Sequence, residues 1–201
     1  MNEEYRLPYF HGALLDEDAN KLLINEGDFL LQSKCVANRT SKKIVLAVKS
    51  GTKILRIDIQ KINEKCQIFN RTFVNIEAMI SYYKVNRLEC TSGEKVRLKR
   101  AIAKGKFQLN HSDIKIIKKI GCGAYGTVYK GLLLRNLAPV AVKRIDCYDK
   151  TEKGLIDLMK EARVMQLYDH INVVKFFGFI VDRAPYLLVM EYCKVNTEKI
   201  Y

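Results

Sequence analysis

Apolar residues recur at helical spacing twice in the first hundred residues. Over Leu15–Ile24, Ala19, Leu22 and Leu23 share a face, Asp16 stands at an N-cap position and Gly27 where a helix closes, which predicts a short amphipathic helix. Over Asn75–Tyr83, Ile76, Met79, Ile80 and Tyr83 repeat the pattern. Between them Asp28–Ser33, Lys43–Val48 and Ile54–Gln60 read as strands. In the last, Leu55, Ile57 and Ile59 alternate with Arg56, Asp58 and Gln60. Helix, three-strand sheet and helix make an α+β unit of about 100 residues.

Lys99–Lys106 is small, basic and without apolar periodicity, and reads as a linker. From Ile114 the pattern changes to consecutive strands at Ile114–Gly121, Thr127–Leu133 and Val140–Arg144. A helix over Gly154–Leu167 follows, with Leu155, Leu158, Met159, Ala162 and Met165 at helical spacing. Strands at Val174–Val181 and Tyr186–Tyr192 complete a five-strand, one-helix unit.

Composition narrows the classes without choosing among them. Of 201 residues, 48% are hydrophobic and 28% charged, enough for real cores. The net charge of +13 admits nucleic acid, anionic membranes or phosphorylated partners. The basic residues are dispersed and not interleaved with aromatics, which argues against a nucleic-acid binder. The six cysteines show no C-x-x-C spacing, so neither a zinc site nor a disulfide framework is indicated, and free thiols in a reducing cytosol are expected. The start, Met1 to Tyr5, is acidic and is no signal peptide; Asn2 excludes myristoylation. The Val173–Cys193 stretch is broken by Lys175, Asp182 and Arg183, so no transmembrane segment is expected, and a cytoplasmic location is.

The chemistry concentrates in Ile120-Gly-Cys-Gly-Ala-Tyr-Gly-Thr-Val128. Gly121, Gly123 and Gly126 let the backbone turn and approach phosphate oxygens with no Cβ in the way. A dinucleotide fingerprint needs a helix directly after such a loop. Here Thr127–Leu134 reads as strand, which argues against that fold; a glycine hairpin without ligand is the bland alternative. Downstream, Val140-Ala-Val-Lys143 is an apolar strand ending in one lysine, and a buried lysine needs a counter-charge. Glu161 lies mid-helix among sheet-facing residues.

Loop, strand lysine and helix glutamate together resemble the small lobe of the protein kinases, from Phe107 to about Cys193. The resemblance implies an ATP site. Gly121, Cys122, Gly123, Ala124, Tyr125 and Gly126 would cover the phosphates, and Ile120, Val128 and Ala141 would enclose the adenine. Lys143 would hold the α- and β-phosphates and pair with Glu161. Leu188-Val-Met-Glu-Tyr-Cys193 resembles the fifth strand and hinge, with Met190 as gatekeeper and Glu191 and Cys193 offering backbone groups to the adenine edge. His170-Ile-Asn-Val173 resembles the usual His-Pro-Asn-Ile turn without its proline.

Phosphoryl transfer also needs a base and magnesium ligands, which kinases take from His-Arg-Asp and Asp-Phe-Gly motifs in the large lobe. Neither motif occurs, and only eight residues follow Cys193, Lys194 to Tyr201. The cofactor implied is ATP with magnesium whose ligands lie elsewhere, and these 201 residues alone are expected not to catalyse.

Tyr9-Phe-His-Gly-Ala13, a helix, and Gly27-Asp-Phe-Leu-Leu31 resemble the start of a Src-homology-2 (SH2) domain. The resemblance runs through Lys43–Val48 and Asn75–Tyr83 to Val96-Arg-Leu98. The joining segment Phe107–Ile114 resembles the Fes/Fer group of non-receptor tyrosine kinases, where an SH2 domain precedes the kinase. The division expected is an SH2 domain over 8–98, a linker over 99–113 and a kinase small lobe over 114–201.

Two departures stand out. The motif that supplies the phosphotyrosine-binding arginine reads Phe29-Leu-Leu-Gln32, and glutamine loses the charged bidentate fork. A second arginine is usual where this chain has Asp16, an acid that repels phosphate. Arg56 falls near the pocket histidine, subject to a one-residue register slip, and Ser33, Lys34, Thr40, Ser41 and Lys43 offer a weaker basic site. The resemblance therefore implies a tyrosine kinase acting on protein tyrosines, with an SH2 ligand left open. The alternative is a non-catalytic adaptor or competitor.

Overall fold

The computed structural model describes residues 3–35, 42–90, 93–123, 126–145 and 153–193. It divides into two compact units, Met1–Lys104 and Gly105–Tyr201.

In the first unit, helix α1 (Asp16–Leu22) precedes strands β1 (Asp28–Cys35), β2 (Lys42–Ser50), β3 (Lys53–Ile62), β4 (Lys65–Ile68) and β5 (Arg71–Phe73). Helix α2 (Ile76–Val85) follows, then the short strands β6 (Leu88–Glu89), β7 (Lys95–Val96) and β8 (Arg100–Ala101). The sheet order is β5-β4-β3-β2-β1-β8, antiparallel except for the β1–β8 edge. Six strands stand where three were expected. β3 turns into β4 through Asn63 and Glu64, both at positive φ (48° and 65°), the two-residue turn that matches strand twist. Asn63 was the available signal for that hairpin.

Phe29 and Leu31 of β1, Leu46 and Val48 of β2, and Ile57 and Ile59 of β3 share one sheet face. They form a core with Ile76, Met79, Ile80 and Tyr83 of α2. α2 begins as its sequence suggests, with the Asn75 side chain accepting the Ala78 N–H. The opposite face carries Leu30, Val45 and Ala47, also buried, as are Ala19 and Leu23. Asp16 does not cap α1: the N-cap is Leu15, without a side-chain bond, and Asp16 is the first helical residue. Gly27 does not close α1 either. Its φ of +82° serves a close approach, since a Cβ there would lie 2.6 Å from the Arg97 carbonyl.

The segment expected as a linker is built into both units. Arg100–Ala101 pairs with β1, His11 Nε2 contacts the Ile102 carbonyl at 2.9 Å, and the Lys104 N–H donates to the Pro8 carbonyl. Asp28, buried in β1, accepts both arms of Arg100, Nε at 2.8 Å and Nη2 at 2.6 Å, as well as the Ile24 and Asn25 N–H groups.

The second unit opens with β9 (Gln108–Leu109) and a 3-10 turn at His111–Asp113. Strands β10 (Ile114–Gly123), β11 (Gly126–Leu133) and β12 (Ala138–Ile145) precede α3 (Lys153–Met165), and β13 (Phe176–Ile180) and β14 (Tyr186–Glu191) follow it. The order is β10-β11-β12-β14-β13-β9, with β9 added parallel to β13 as a sixth strand. Val140, Val142, Leu187, Val189, Leu133 and Leu109 form a core on one face of this sheet. α3 buries Leu155, Leu158, Met159 and Ala162, the stripe its spacing predicted, with Met165 only partly covered. His111 Nδ1 meets the buried Asp182 carboxylate and its Nε2 lies 3.1 Å from the Pro185 carbonyl, tying the opening turn to the β13–β14 connection. Among the described residues no helix is long and apolar enough to cross a membrane.

Candidate functional site

One row of residues crosses four strands. Gly121 on β10 pairs with Val128 on β11, Val128 with Lys143 on β12, and Lys143 with Leu188 on β14. Ala141 pairs with Met190 two residues along. Side chains at paired positions share a sheet face, as do residues two apart on one strand. Val128, Ala141, Lys143 and Met190 therefore all stand on the face away from the valine core. Sequence spacing did not state this; the antiparallel register does.

Glu161 reaches this face from α3. The Lys143 ammonium lies 2.8 Å from each Glu161 carboxylate oxygen. The Lys143 side chain is 17% exposed and the Glu161 side chain 38%. A positive charge largely withdrawn from water needs a counter-charge, and Glu161 supplies it.

The three loop glycines have different reasons for being glycine. A Cβ at Gly126 would sit 2.1 Å from the Arg144 carbonyl oxygen, at a φ of +110°, so the fold itself demands glycine there. Among the described residues, a Cβ at Gly121 would touch only Val128, at 4.0 Å, and one at Gly123 would meet nothing within 4 Å. The described residues therefore do not require glycine at those two positions, and leave room for a close approach to their backbone. Cys122 is exposed, with Sγ 3.7 Å from Thr127 Oγ1, and Ile120 is 42% exposed. Ala124 and Tyr125 lie outside the described residues.

At the other end of the row, the Glu191 N–H donates to the Lys175 carbonyl at 2.8 Å. Of the backbone groups at Glu191, the N–H is thus committed within the sheet edge. Cys193 is exposed. Among the described residues no cluster of three or more His, Cys, Asp or Glu side chains comes together as a metal site.

The first unit has its own polar cluster, on the sheet face that carries α1. Gln32 pairs with Val45, Val45 with Asp58, and Lys34 with Lys43, while Arg56 pairs with Ala47. Gln32, Lys34, Lys43, Arg56 and Asp58 therefore share that face. Ser33 does not belong with them. It pairs with Ile44 on the α2 side and is buried, because strand periodicity of two turns it away. Thr40 and Ser41 lie outside the described residues.

Asp16 is the centre of this cluster. Its Oδ1 lies 2.7 Å from Lys34 Nζ, 3.0 Å from Arg56 Nε and 3.2 Å from Gln32 Nε2. Gln32, fully buried, also donates to the Leu14 carbonyl at 2.7 Å. Arg56 Nη2 donates to Asn20 Oδ1 at 2.5 Å, and Lys43 is taken by Asp58 at 2.7 Å. Burial pushes the Asp16 carboxyl up, but the Lys34 hydrogen bond and charge, the Arg56 charge and the Gln32 amide outweigh it, holding the group below the usual carboxylate range. The sequence reading named Asp16 as repelling an incoming phosphate; its engagement with the chain's own cations, and the part of Asn20, had no sequence signal.

Residues 114–198 match the family described as protein tyrosine and serine/threonine kinase, and residues 5–86 match a domain family of unknown function (DUF7063). The second unit is thus similar to the protein kinases over residues 114–198. The chain is 32% identical to tyrosine-protein kinase Fer of Rattus norvegicus over 185 residues, covering 91% of this chain and 22% of that protein. It is 29% identical to spermatocyte protein spe-8 of Caenorhabditis briggsae over 193 residues (93% and 36%). With Fer-related kinase 1 of Caenorhabditis elegans it shares 28% over 201 residues (92% and 48%). The chain is similar to these kinases over more than nine-tenths of its own length, and it spans less than half the length of each of them.

Proposed function

We propose that the second unit is the ATP-gripping half of a cytoplasmic, non-receptor protein-tyrosine kinase of the Fes/Fer type, preceded by an SH2 domain. The observation that carries this is the Lys143–Glu161 pair, at 2.8 Å to both oxygens, standing in one register row with Gly121 and Val128. ATP supplies the phosphoryl group that passes to a tyrosine hydroxyl. Lys143 neutralises phosphate charge, and Glu161 holds its ammonium in place. The open backbone at Gly121 and Gly123 fits a phosphate cradle of N–H donors. Ile120, Val128 and Ala141 flank the base, Met190 limits the depth of the cleft, and Glu191 and Cys193 offer backbone at its edge. Because the Glu191 N–H is already bonded, its contribution is the carbonyl.

The base and magnesium ligands would come from His-Arg-Asp and Asp-Phe-Gly segments, which these 201 residues do not contain. The chain by itself is therefore read as non-catalytic. The test compares tyrosine phosphorylation by the 201-residue chain with that by the chain extended through the downstream reading frame of its gene. Activity in the extended protein, abolished by K143M and absent from the short chain, is expected. A downstream frame without these motifs, and no activity, would leave the adaptor reading instead.

The first unit is read as an SH2 domain that binds phosphotyrosine weakly or not at all, since Gln32 and Asp16 stand where two arginines are usual. Beside Arg56 a hollow of about 370 Å³, lined by Leu55, Ile57, Gln60, Gln67, Phe69 and Cys90, suits an apolar peptide side chain. Titration with phosphotyrosyl peptides tests this; micromolar affinity abolished by phosphatase sinks it.

A further inference from the structure

The basic cleft of the first unit is not short of donors. It holds an amine (Lys34), a guanidinium (Arg56) and a primary amide (Gln32), the groups that receive a phosphate monoester. All three are directed at one oxygen of Asp16. Arg56 Nε is buried at 3.0 Å from that oxygen without hydrogen-bond alignment, and its Nη2 is held by Asn20. The Gln32 Oε1 acceptor is buried with no hydrogen-bond partner among the described residues, so its amide is held by its donor side. The next cation on this face, Lys43, has its own carboxylate in Asp58.

Charge decides what such a cluster admits. Lys34 and Arg56 bring two positive charges and Asp16 removes one. An aryl phosphate carries about −1.5 to −2 at neutral pH. Entering the cleft, it would meet one net positive charge and a like-charged carboxylate to which the donor groups are already directed. Without Asp16 it would meet two positive charges and three donor groups no longer drawn to a carboxylate, although Gln32 keeps its bond to the Leu14 carbonyl and Arg56 its bond to Asn20.

We propose that Asp16 is an internal stand-in for phosphate: the cleft is closed by the chain's own carboxylate, and removing that carboxylate alone makes it a receptor for a phosphotyrosyl peptide. The proposal rests on the reading of the first unit as an SH2 domain. It makes Asp16, more than Gln32, the residue that sets specificity, because Gln32 already presents a donor and Asp16 consumes it.

The experiment is fluorescence anisotropy of a labelled phosphotyrosyl peptide and its unphosphorylated counterpart with the full chain. The variants are D16N, D16A, Q32R and D16N/Q32R, with thermal unfolding as the check on folding; D16N keeps the side-chain shape if D16A unfolds. D16N or D16A should raise affinity for the phosphorylated peptide roughly tenfold or more. Adding K34A or R56A should remove the gain, and millimolar inorganic phosphate should compete only weakly. A gain in Q32R without one in folded D16N would overturn the role of Asp16 and leave the SH2 reading intact. No phosphopeptide binding by any folded variant, D16N/Q32R included, would overturn both. An equal gain for the unphosphorylated peptide would overturn the phosphate stand-in.

Discussion

The Lys143 ammonium stands equidistant from the two carboxylate oxygens of Glu161, 2.8 Å from each, joining the middle of β12 to the middle of α3. This contact joins the apolar stripe of Leu155, Leu158, Met159 and Ala162 in holding one face of α3 toward the sheet. It also couples helix position to the site.

Breaking the pair by E161A is expected to destabilise the chain by about 1–2 kcal/mol. That is less than the 3–5 of a fully buried pair, because Glu161 retains solvent. K143M with E161A should cost less than the sum of the single changes. Urea unfolding followed by circular dichroism measures both; strict additivity would mean that the two side chains do not interact.

The glycines separate fold from ligand. G126A places a Cβ against the Arg144 carbonyl and should destabilise by more than about 2 kcal/mol. G121A and G123A have room, so their stability should change by no more than about 0.5 kcal/mol. A fluorescent ATP analogue should nevertheless bind G121A and G123A more weakly than the parent. Unchanged nucleotide binding in both would count against the phosphate cradle.

Asp28 is a pH-dependent brace. The Arg100 hydrogen bonds, helped by the Asn25 and Ile24 N–H groups and by the Arg100 charge, hold its carboxyl below the usual range despite burial. A depressed pKa means that the unfolded chain binds the proton more readily. Its stabilisation is therefore complete above the ordinary carboxylate range near pH 4 and disappears as pH falls through the folded value. D28N should lower Tm by at least about 4 °C at neutral pH. The gap to the parent should narrow on acidification; a gap constant down to pH 2.5 would refute this.

Asp182 works in the same direction by another route. Burial pushes its carboxyl up, but the His111 ring and the His111 and Arg183 backbone N–H groups more than compensate, leaving it lowered. Its contribution likewise fades as pH falls through the folded value. D182N should loosen the segment that carries β9, and hydrogen exchange of the Phe179 amide, which donates to the Phe107 carbonyl, should speed up. Exchange unchanged at Phe179 but faster elsewhere would place the brace on a different segment.

The long elements were legible because their periodicity reports burial directly. α2, α3, β1 to β3 and β10 to β14 fall within a few residues of where apolar spacing put them. β8 and β9 were not legible. Each is two residues long, too short to show a period, and exists because a distant parallel neighbour, β1 or β13, offers an edge. The stretch around them looked like a linker for that reason. Asp16 is of a residue type that suits a cap, and local sequence does not record that Lys34 of β1 and Arg56 of β3 arrive to claim it.

The sequence by itself determined the glycine loop, the lysine after an apolar strand, and the absence of His-Arg-Asp and Asp-Phe-Gly from these residues, since each is a matter of residue type and spacing. Only the tertiary structure decided which charges neutralise which. The partner of Lys143 sits 18 positions away and that of Asp16 as many as 40, and long-range pairing is set by sheet register and helix orientation. For that reason the same chain could be read from sequence as having a site for ATP, while the closure of its other basic cleft became visible only when the strands were laid side by side.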